Sequence, residues 1–388
     1  MSLADLEVIE INVKIKENKV IEARSSGNKL RSFEKTFTGK NANSFYEILP
    51  KVLATCGQSH LYAYTSRVSD NERVIKTLVM LEIIDSHLRH PYAYWFPHVV
   101  NDERYSFPHG EKFQKVAKIS QRIKWVMEYI GGKWPHVDYL RNTKVVKFSK
   151  ELLKDIREFF EKEVIGMNVE DFLQLNEIEE FKGDLKVLIE HSLDSLYWNF
   201  GLRNYITVGF PFVSTVDLSL IEDKGLEIFY KGSKVEVGPL AQALTFDKLI
   251  KKYHEKYGPS PLLRELSRIK IVAKLLNEFE DFETVSKPFS IEDGYYISSV
   301  ESIRGSLIHS FSISHGLIES YRIIQPTTII ASPRGAIEAS LIGLKVADPK
   351  NAVEVALTVS SLDTCFVSIV KIFEDEKLRS IKRIGGFC

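Results

Sequence analysis

Residues 316–368 read GLIESYRIIQPTTIIASPRGAIEASLIGLKVADPKNAVEVALTVSSLDTCFVS. They hold Cys365, one of three cysteines in the chain, and Arg334 in a Ser-Pro-Arg-Gly turn. Far upstream, residues 50–63 read PKVLATCGQSHLYA and hold Cys56, with His60 four positions further on. Residues four apart on a helix share a face, so Cys56 and His60 would present a thiol and an imidazole together. Taken singly, each cysteine reads as a small buried hydrophobe. Brought together by the fold, the two become a candidate site.

The totals narrow the class. The chain has 388 residues, 44% of them hydrophobic and 27% charged, enough apolar material for a sizeable core. Its 52 Lys and Arg balance 52 Asp and Glu without a block of like charge, which argues against a nucleic-acid track. Three cysteines give no disulfide framework and suit a reducing compartment. No apolar run reaches the roughly 18 residues of a spanning helix. The opening MSLADLEVIE lacks the basic and apolar regions of a signal peptide. The expectation is a cytoplasmic protein that binds no nucleic acid and does not insert directly into a membrane, although a membrane-associated complex stays open.

Along the chain, residues 10–24 alternate Ile11, Val13 and Ile15, break at Glu17-Asn18-Lys19 and resume at Val20, which predicts a hairpin over about 8–24. Helical spacing follows in succession. It covers 58–67, then 71–99 with Val74, Leu78, Leu81, Ile84 and Leu88 on one face, and 112–130, closed by Gly131-Gly132. Ser149 and Asn168 read as N-caps of two more helices, and 185–200 as another. This helical core spans about 57–200. Residues 205–213 and 226–237 look β-rich, giving an insertion at about 203–240. Residues 246–256 and 262–279 read as helices, and 291–321 as three short strands turned at Gly305 and Gly316. No linker forces a division. The reading is one α+β domain, mainly helical, with a central bundle of long helices and peripheral short β-sheets. Its C-terminal site region would span about 291–371, followed by a tail at 372–388.

The motifs together resemble the large subunit of nickel–iron hydrogenases. Glu301-Ser-Ile-Arg-Gly305 followed by His309 is similar to that family's Glu-Ala-Pro-Arg-Gly…His. Tyr321, Pro326-Thr327-Thr328 and Ser332-Pro333-Arg334 match its Tyr…Pro-Thr-Thr-Trp-Asn…Ser-Pro-Arg. Ser361-Leu-Asp363-Thr-Cys365-Phe-Val-Ser368 resembles its Ser-Phe-Asp-Pro-Cys-x-x-Cys, and residues 50–60 its Pro-Arg-Ile-Cys-Gly-Ile-Cys-x-x-Ser-His. Ser86-His87-Leu-Arg-His90, Gly131-Gly132 and Gly238-Pro239-Leu240-Ala241 resemble further landmarks, in the same order.

The resemblance implies a fold, a partner and a site. The family binds nickel through two cysteines and bridges it to iron through two more; soft thiolates suit these metals. Here Cys56 and Cys365 occupy ligand positions, while Leu53 and Ser368 stand at the other two. Leucine offers no donor, and a serine hydroxyl holds its proton tightly at neutral pH. Nickel and iron are the cofactors implied by resemblance. The residues leave open no metal, a single zinc or iron on Cys56, Cys365 and His60, or a redox disulfide. His60 resembles the His beside a bridging thiolate. Arg334 resembles the Arg that overhangs the metals; its plainer reading is a buried Arg paired with a carboxylate such as Asp363. Glu34 is a candidate for the family's magnesium-linked Glu, with Lys371 at the position of its C-terminal His. Glu7 and Glu10 are both candidates for the proton-relay Glu. Gln242 stands where an Arg is expected. Cys388 reads as a tail thiol. The partner implied is an iron–sulfur small subunit. The function expected is that of a large-subunit-like component of a redox complex, with dihydrogen activation lost or altered. A non-catalytic scaffold on the same fold is the alternative.

Overall fold

Ile9, Ile11, Val13 and Ile15 alternate with polar residues, and this period of two builds strand β1 (Val8–Lys16), which buries all four on one face. Glu17 and Asn18 take left-handed φ angles of 51° and 58°, the twist of a two-residue hairpin turn, and β2 (Lys19–Ser25) returns antiparallel. The structure is a computed structural model that describes residues 8–27, 33–66, 71–225 and 227–385.

Helices α1 (Gly57–Thr65), α2 (Glu72–Tyr94) and α3 (Glu111–Gly131) follow. Arg67, expected on the first of these, lies outside the described residues. The stripe of Val74, Leu78, Leu81, Ile84 and Leu88 is buried as its spacing predicts, and α2 packs on both α1 and α3. α3 ends where Gly132 takes φ 88°; a Cβ there would lie 2.1 Å from the Asp138 carboxylate. Strand β3 (Val145–Phe148) precedes a helical run capped by Ser149. Asn168 caps Val169–Gln174, accepting the Asp171 N–H at 2.7 Å. The helix expected over 185–200 spans Gly183–Ser192 and then tightens into a 3-10 turn to Tyr197.

Residues 203–240 carry less strand than their composition suggests. Among the described residues its strands are β4 (Ile221–Asp223) and β5 (Ile228–Tyr230), three residues each, with single bridges such as Tyr205 to Glu236. Gly209, Pro211 and Gly232 interrupt the rest. It is held instead by bonds such as the Val208 N–H to the buried Glu301 carboxylate, at 2.8 Å.

Helix α4 (Pro261–Glu278) forms the centre. Ser260 Oγ accepts the Leu263 N–H at 3.2 Å, and Pro261 fills the first turn without losing a bond. The spacing of Leu262, Leu266, Ile269, Ala273 and Leu276 predicts one buried face. In fact α4 is buried all round, with Arg264, Glu265, Arg268 and Lys270 each no more than 1% exposed. Such charges survive inside a protein only when paired. Lys270 lies 3.3 Å from Asp247 and donates to the Phe172 carbonyl at 2.7 Å.

Strand β6 (Phe282–Val285) pairs with β3. Strands β7 (Gly294–Ser302), β8 (Gly305–Ser314) and β9 (Leu317–Ile324) form the expected antiparallel meander, turned at Gly305 and Gly316. After helix α5 (Val353–Leu362), β10 (Val367–Glu374) runs parallel to β1, from Val8 opposite Val367 to Ile15 opposite Glu374. Strand β11 (Lys377–Ile384) completes the sheet β11-β10-β1-β2. The stretch expected as a tail is therefore largely sheet. β10 lies inside it, burying Val370 and Ile372 in the smaller of two apolar cores. Residues 386–388 lie outside the described part. The whole is an α+β fold, mainly helical. Among the described residues no helix is long and apolar enough to cross a membrane.

Candidate thiol site

Pro50 opens the first cysteine stretch as part of a short helix, Leu49–Val52, and a 3-10 turn, Ala54–Cys56, leads into α1. The chain doubles back so tightly that a Cβ on Gly57 would lie 3.1 Å from the Pro50 carbonyl oxygen. Cys56 thereby becomes the N-cap residue of α1, buried, and His60 sits one turn on. The second stretch leaves α5 through Asp363, whose φ of 47° is left-handed. That reversal turns Cys365 back toward the helices, where its N–H donates to Thr327 Oγ1 at 3.0 Å.

The two stretches meet. Cys56 and Cys365 line one pocket and are not joined in a disulfide. A cavity of about 500 Å³ opens onto both, lined also by Leu53, His60, Gln325 and Arg383. Ser368, at the remaining ligand position, is buried on β10, its hydroxyl 3.0 Å from that of Thr364. The proximity of Cys56 and Cys365 divides their thiols. It lowers the Cys365 pKa, with help from the Arg304 guanidinium and the Thr327 hydroxyl, against the cost of burial. It raises that of Cys56, and burial and the neighbouring Cys365 and Glu82 charges push the same way.

A buried chain of rings runs away from the pocket. His60 Nδ1 lies 2.9 Å from His309 Nε2, and His309 Nδ1 lies 2.8 Å from the Tyr321 hydroxyl. Burial keeps both imidazoles neutral, His60 with a pKa lowered to about 3 and His309 lowered as well. One proton therefore joins the two rings. Glu82 anchors the start of α1, accepting the Gln58 N–H at 2.7 Å and the Ser59 hydroxyl at 2.7 Å.

Behind the thiols lies a layer of buried ion pairs. Arg264 meets Glu236 through two bonds of 2.8 and 2.9 Å. Arg268 Nη1 lies 3.0 Å from Glu265, which also holds His90 Nδ1 at 2.9 Å. Arg304 meets Asp363 at 3.2 Å.

This last pair corrects the sequence reading. Arg334 does not overhang the thiols and does not meet Asp363. Its side chain is 77% exposed and pairs with Glu227 at 3.2 Å. The Ser-Pro-Arg-Gly segment turns outward because Arg334 takes a left-handed φ of 57°, and the adjacent Gly335 is packed so closely that a Cβ would meet the Ser332 carbonyl at 2.7 Å. Arg383 lines the cavity, and Arg304, paired with Asp363, is the buried guanidinium beside Cys365. Its signal was present in Glu301-Ser-Ile-Arg-Gly305, but nothing local to that segment shows which Arg faces inward.

Other expectations fall elsewhere. Glu34 is buried on a 3-10 turn, Phe33–Phe37, that packs on β9, whereas Lys371 pairs with Glu10 across the β1–β10 ladder at 3.8 Å. Gln242 donates to the buried Glu301 carboxylate at 2.8 Å, where an Arg would have brought a charge. His90 and His136 serve the structure, His136 bonding the Gly132 carbonyl at 2.7 Å. Glu7 and Cys388 lie outside the described residues.

The family model for nickel-dependent hydrogenases matches residues 265–370, which span α4, the meander, Arg304 and Cys365. Over 95% of its length the chain is 24% identical to the periplasmic [NiFeSe] hydrogenase large subunit of Desulfomicrobium baculatum, covering 93% of that protein. These matches support membership of the nickel–iron hydrogenase large-subunit family. A shorter match, 33% identical over 102 residues, joins it to the hydrogenase-2 large chain of Escherichia coli K12, covering 24% of this chain and 18% of that one. In structure, the reduced, active Ni-Fe-Se hydrogenase of Desulfomicrobium baculatum superposes with a TM-score of 0.71 at 20% identity, covering 91% of this chain and 95% of that one. The Ni-Fe-Se hydrogenase of D. vulgaris Hildenborough gives 0.68 at 19% identity, covering 90% and 94%. These structural likenesses carry the large-subunit fold.

Proposed function

We propose that this chain is the large-subunit-like component of a redox complex related to nickel–iron hydrogenases, in which the binuclear centre is not assembled and dihydrogen activation is lost or altered. The observation that carries this reading is the donor set around the pocket. Of four ligand positions, two hold sulfur, Cys56 and Cys365. The third is the hydrocarbon side chain of Leu53. The fourth is Ser368, whose hydroxyl bonds Thr364 rather than lining the cavity. One bridging and one terminal thiolate do not satisfy two soft metals, so the residues present do not fit the nickel and iron that the family resemblance suggests.

An electron-transfer partner belongs to the same reading. Trp125, Tyr129 and Trp134 are 46, 53 and 58% exposed, and with Val52 they leave large apolar side chains uncovered on this chain alone. An iron–sulfur small subunit working with it in the cytoplasm suits that surface and the low cysteine count. The same surface supports the second reading, a partner-binding scaffold without catalysis.

Metal analysis of the purified full chain tests the proposal. The expected result is no stoichiometric nickel with iron. Both metals at one per chain, with infrared bands of iron-bound cyanide and carbon monoxide, would overturn it. Co-purification of an iron–sulfur protein favours the redox component over the scaffold.

A further inference from the structure

The geometry points to a dithiol–disulfide exchange site at Cys56 and Cys365 that takes an anionic low-molecular-weight disulfide as its oxidant. This inference rests on the reading that no binuclear centre occupies the two sulfurs.

Three observations carry it. First, the fold brings both cysteines, far apart in sequence, to the wall of one cavity with neither in a disulfide. Second, they differ in access. Both line the cavity, but Cys365 is half-buried, whereas Cys56 is only 6% exposed. That is the arrangement of an attacking thiol and a resolving one. Third, the cavity has the size and charge for a small anionic guest. It holds about 500 Å³, its wall carries Lys51 and Arg383, and among the described residues no carboxylate lines it. Arg383 comes from β11, so the sheet that extends beyond the cysteine motif also supplies one of the two cations at the pocket.

The chemistry balances without a metal. The Cys365 thiolate attacks one sulfur of the disulfide RSSR, forming a Cys365–S–SR bond as the S–S bond of the oxidant breaks. The first RS⁻ leaves and takes up the proton lost by Cys365. The Cys56 sulfur then attacks Cys365 in the mixed disulfide, forming the intrachain bond and expelling the second RS⁻, which takes the Cys56 proton. Two cysteine thiols are oxidised, and one disulfide is reduced to two RSH.

The test uses the full chain with Cys388→Ser, which removes the third thiol. Glutathione disulfide is the anionic probe and 2-hydroxyethyl disulfide the neutral one. With glutathione disulfide, both alkylatable thiols should disappear together and a peptide joining Cys56 to Cys365 should appear. Cys56→Ser should retain one glutathione adduct on Cys365, and Cys365→Ser should leave Cys56 unmodified. Arg383→Gln with Lys51→Gln should slow reaction with glutathione disulfide about tenfold and leave the neutral probe within about twofold. In the unmutated pocket, added salt should slow only the anionic probe, which keeps the charge argument testable if those variants misfold. Absence of the linked peptide at every ratio of disulfide to thiol would overturn the exchange, and equal slowing of both probes would overturn the anionic substrate. Metal content is read on the same sample. Stoichiometric nickel and iron with shielded thiols would overturn the reading beneath the inference, whereas metal-free, alkylatable thiols that never pair sink the exchange alone.

Discussion

The thiol pocket and the ion-pair layer behind it lie side by side and are built on opposite terms. In the layer, Arg264, Arg268 and Arg304 each face a buried carboxylate, on Glu236, Glu265 and Asp363. In the pocket, two thiols stand around open space whose wall carries Lys51 and Arg383 and, among the described residues, no carboxylate. The frame that holds the two cysteine loops is thus matched charge for charge, and the pocket is not. Buried charge has to be matched for the chain to fold, and this holds whatever chemistry the pocket performs. A thiol ligand is required only by the metal it binds.

Breaking the layer should therefore have the largest effect. Arg264→Ala leaves the Glu236 carboxylate, 1% exposed, without its bidentate partner, and should cost about 3–5 kcal/mol by chemical denaturation. Replacing both partners with leucine should recover much of that loss. If Arg264→Ala costs less than about 1 kcal/mol, the layer is not what holds the frame.

A similar contrast holds among the buried carboxylates themselves. Asp363 has Arg304 and keeps its pKa below the ordinary value. Glu82 and Glu301 are held chiefly by neutral donors, and burial raises both to about 7. A carboxyl whose folded pKa is raised favours the protonated, folded state. The stability it adds is fully present below about pH 4.5 and is lost as pH rises through about 7. Each of the two should contribute about 3 kcal/mol to that decline. Denaturation at pH 5 and pH 8 checks it, and a chain equally stable at both would contradict the contrast. Burial raises Glu301, and Gln242, at the place of an expected Arg, opposes it with a hydrogen bond but no charge.

Between pocket and frame runs the chain from His60 to His309 to Tyr321. Tyr321→Phe removes the hydroxyl at His309 Nδ1 and leaves a buried ring nitrogen without its partner. The expected cost is about 2 kcal/mol, smaller than that of an ion pair because no net charge is stranded. An unchanged stability would mean that water replaces the hydroxyl.

Much of the architecture is legible locally. The caps at Ser149 and Asn168, the stripe on α2 and the glycine turns of the meander each express a rule that acts over a few residues. The parallel pairing of β1 with β10 does not, because its partners stand at opposite ends of the sequence and neither segment's pattern names the other. Residues beyond 371 read as a tail because Lys371 stands at the position of the family's C-terminal His, and no pattern there names β1 as a partner. The charged residues on α4 are equally opaque to a local reading: only their tertiary partners show that they are buried. At the site, motif order placed Cys56, Cys365 and His60 together, whereas the choice between Arg304 and Arg334 depended on which way a turn points.

Arg334 gives the smallest and most discriminating prediction. Its guanidinium is largely exposed, and Glu227 retains Lys234 at 3.2 Å when it is removed, so little Coulomb energy is at stake. The bond from its backbone N–H to Glu338, 2.8 Å, survives any substitution but proline. Its left-handed φ costs alanine about as much as arginine. Arg334→Ala should therefore stay within about 0.5 kcal/mol of the parent chain and leave the alkylation rate of Cys365 unchanged. Arg334→Gly should stabilise by about 1 kcal/mol, because glycine alone adopts that φ without strain. A large loss of Cys365 reactivity in Arg334→Ala would return that residue to the site and undo the separation of pocket, frame and surface.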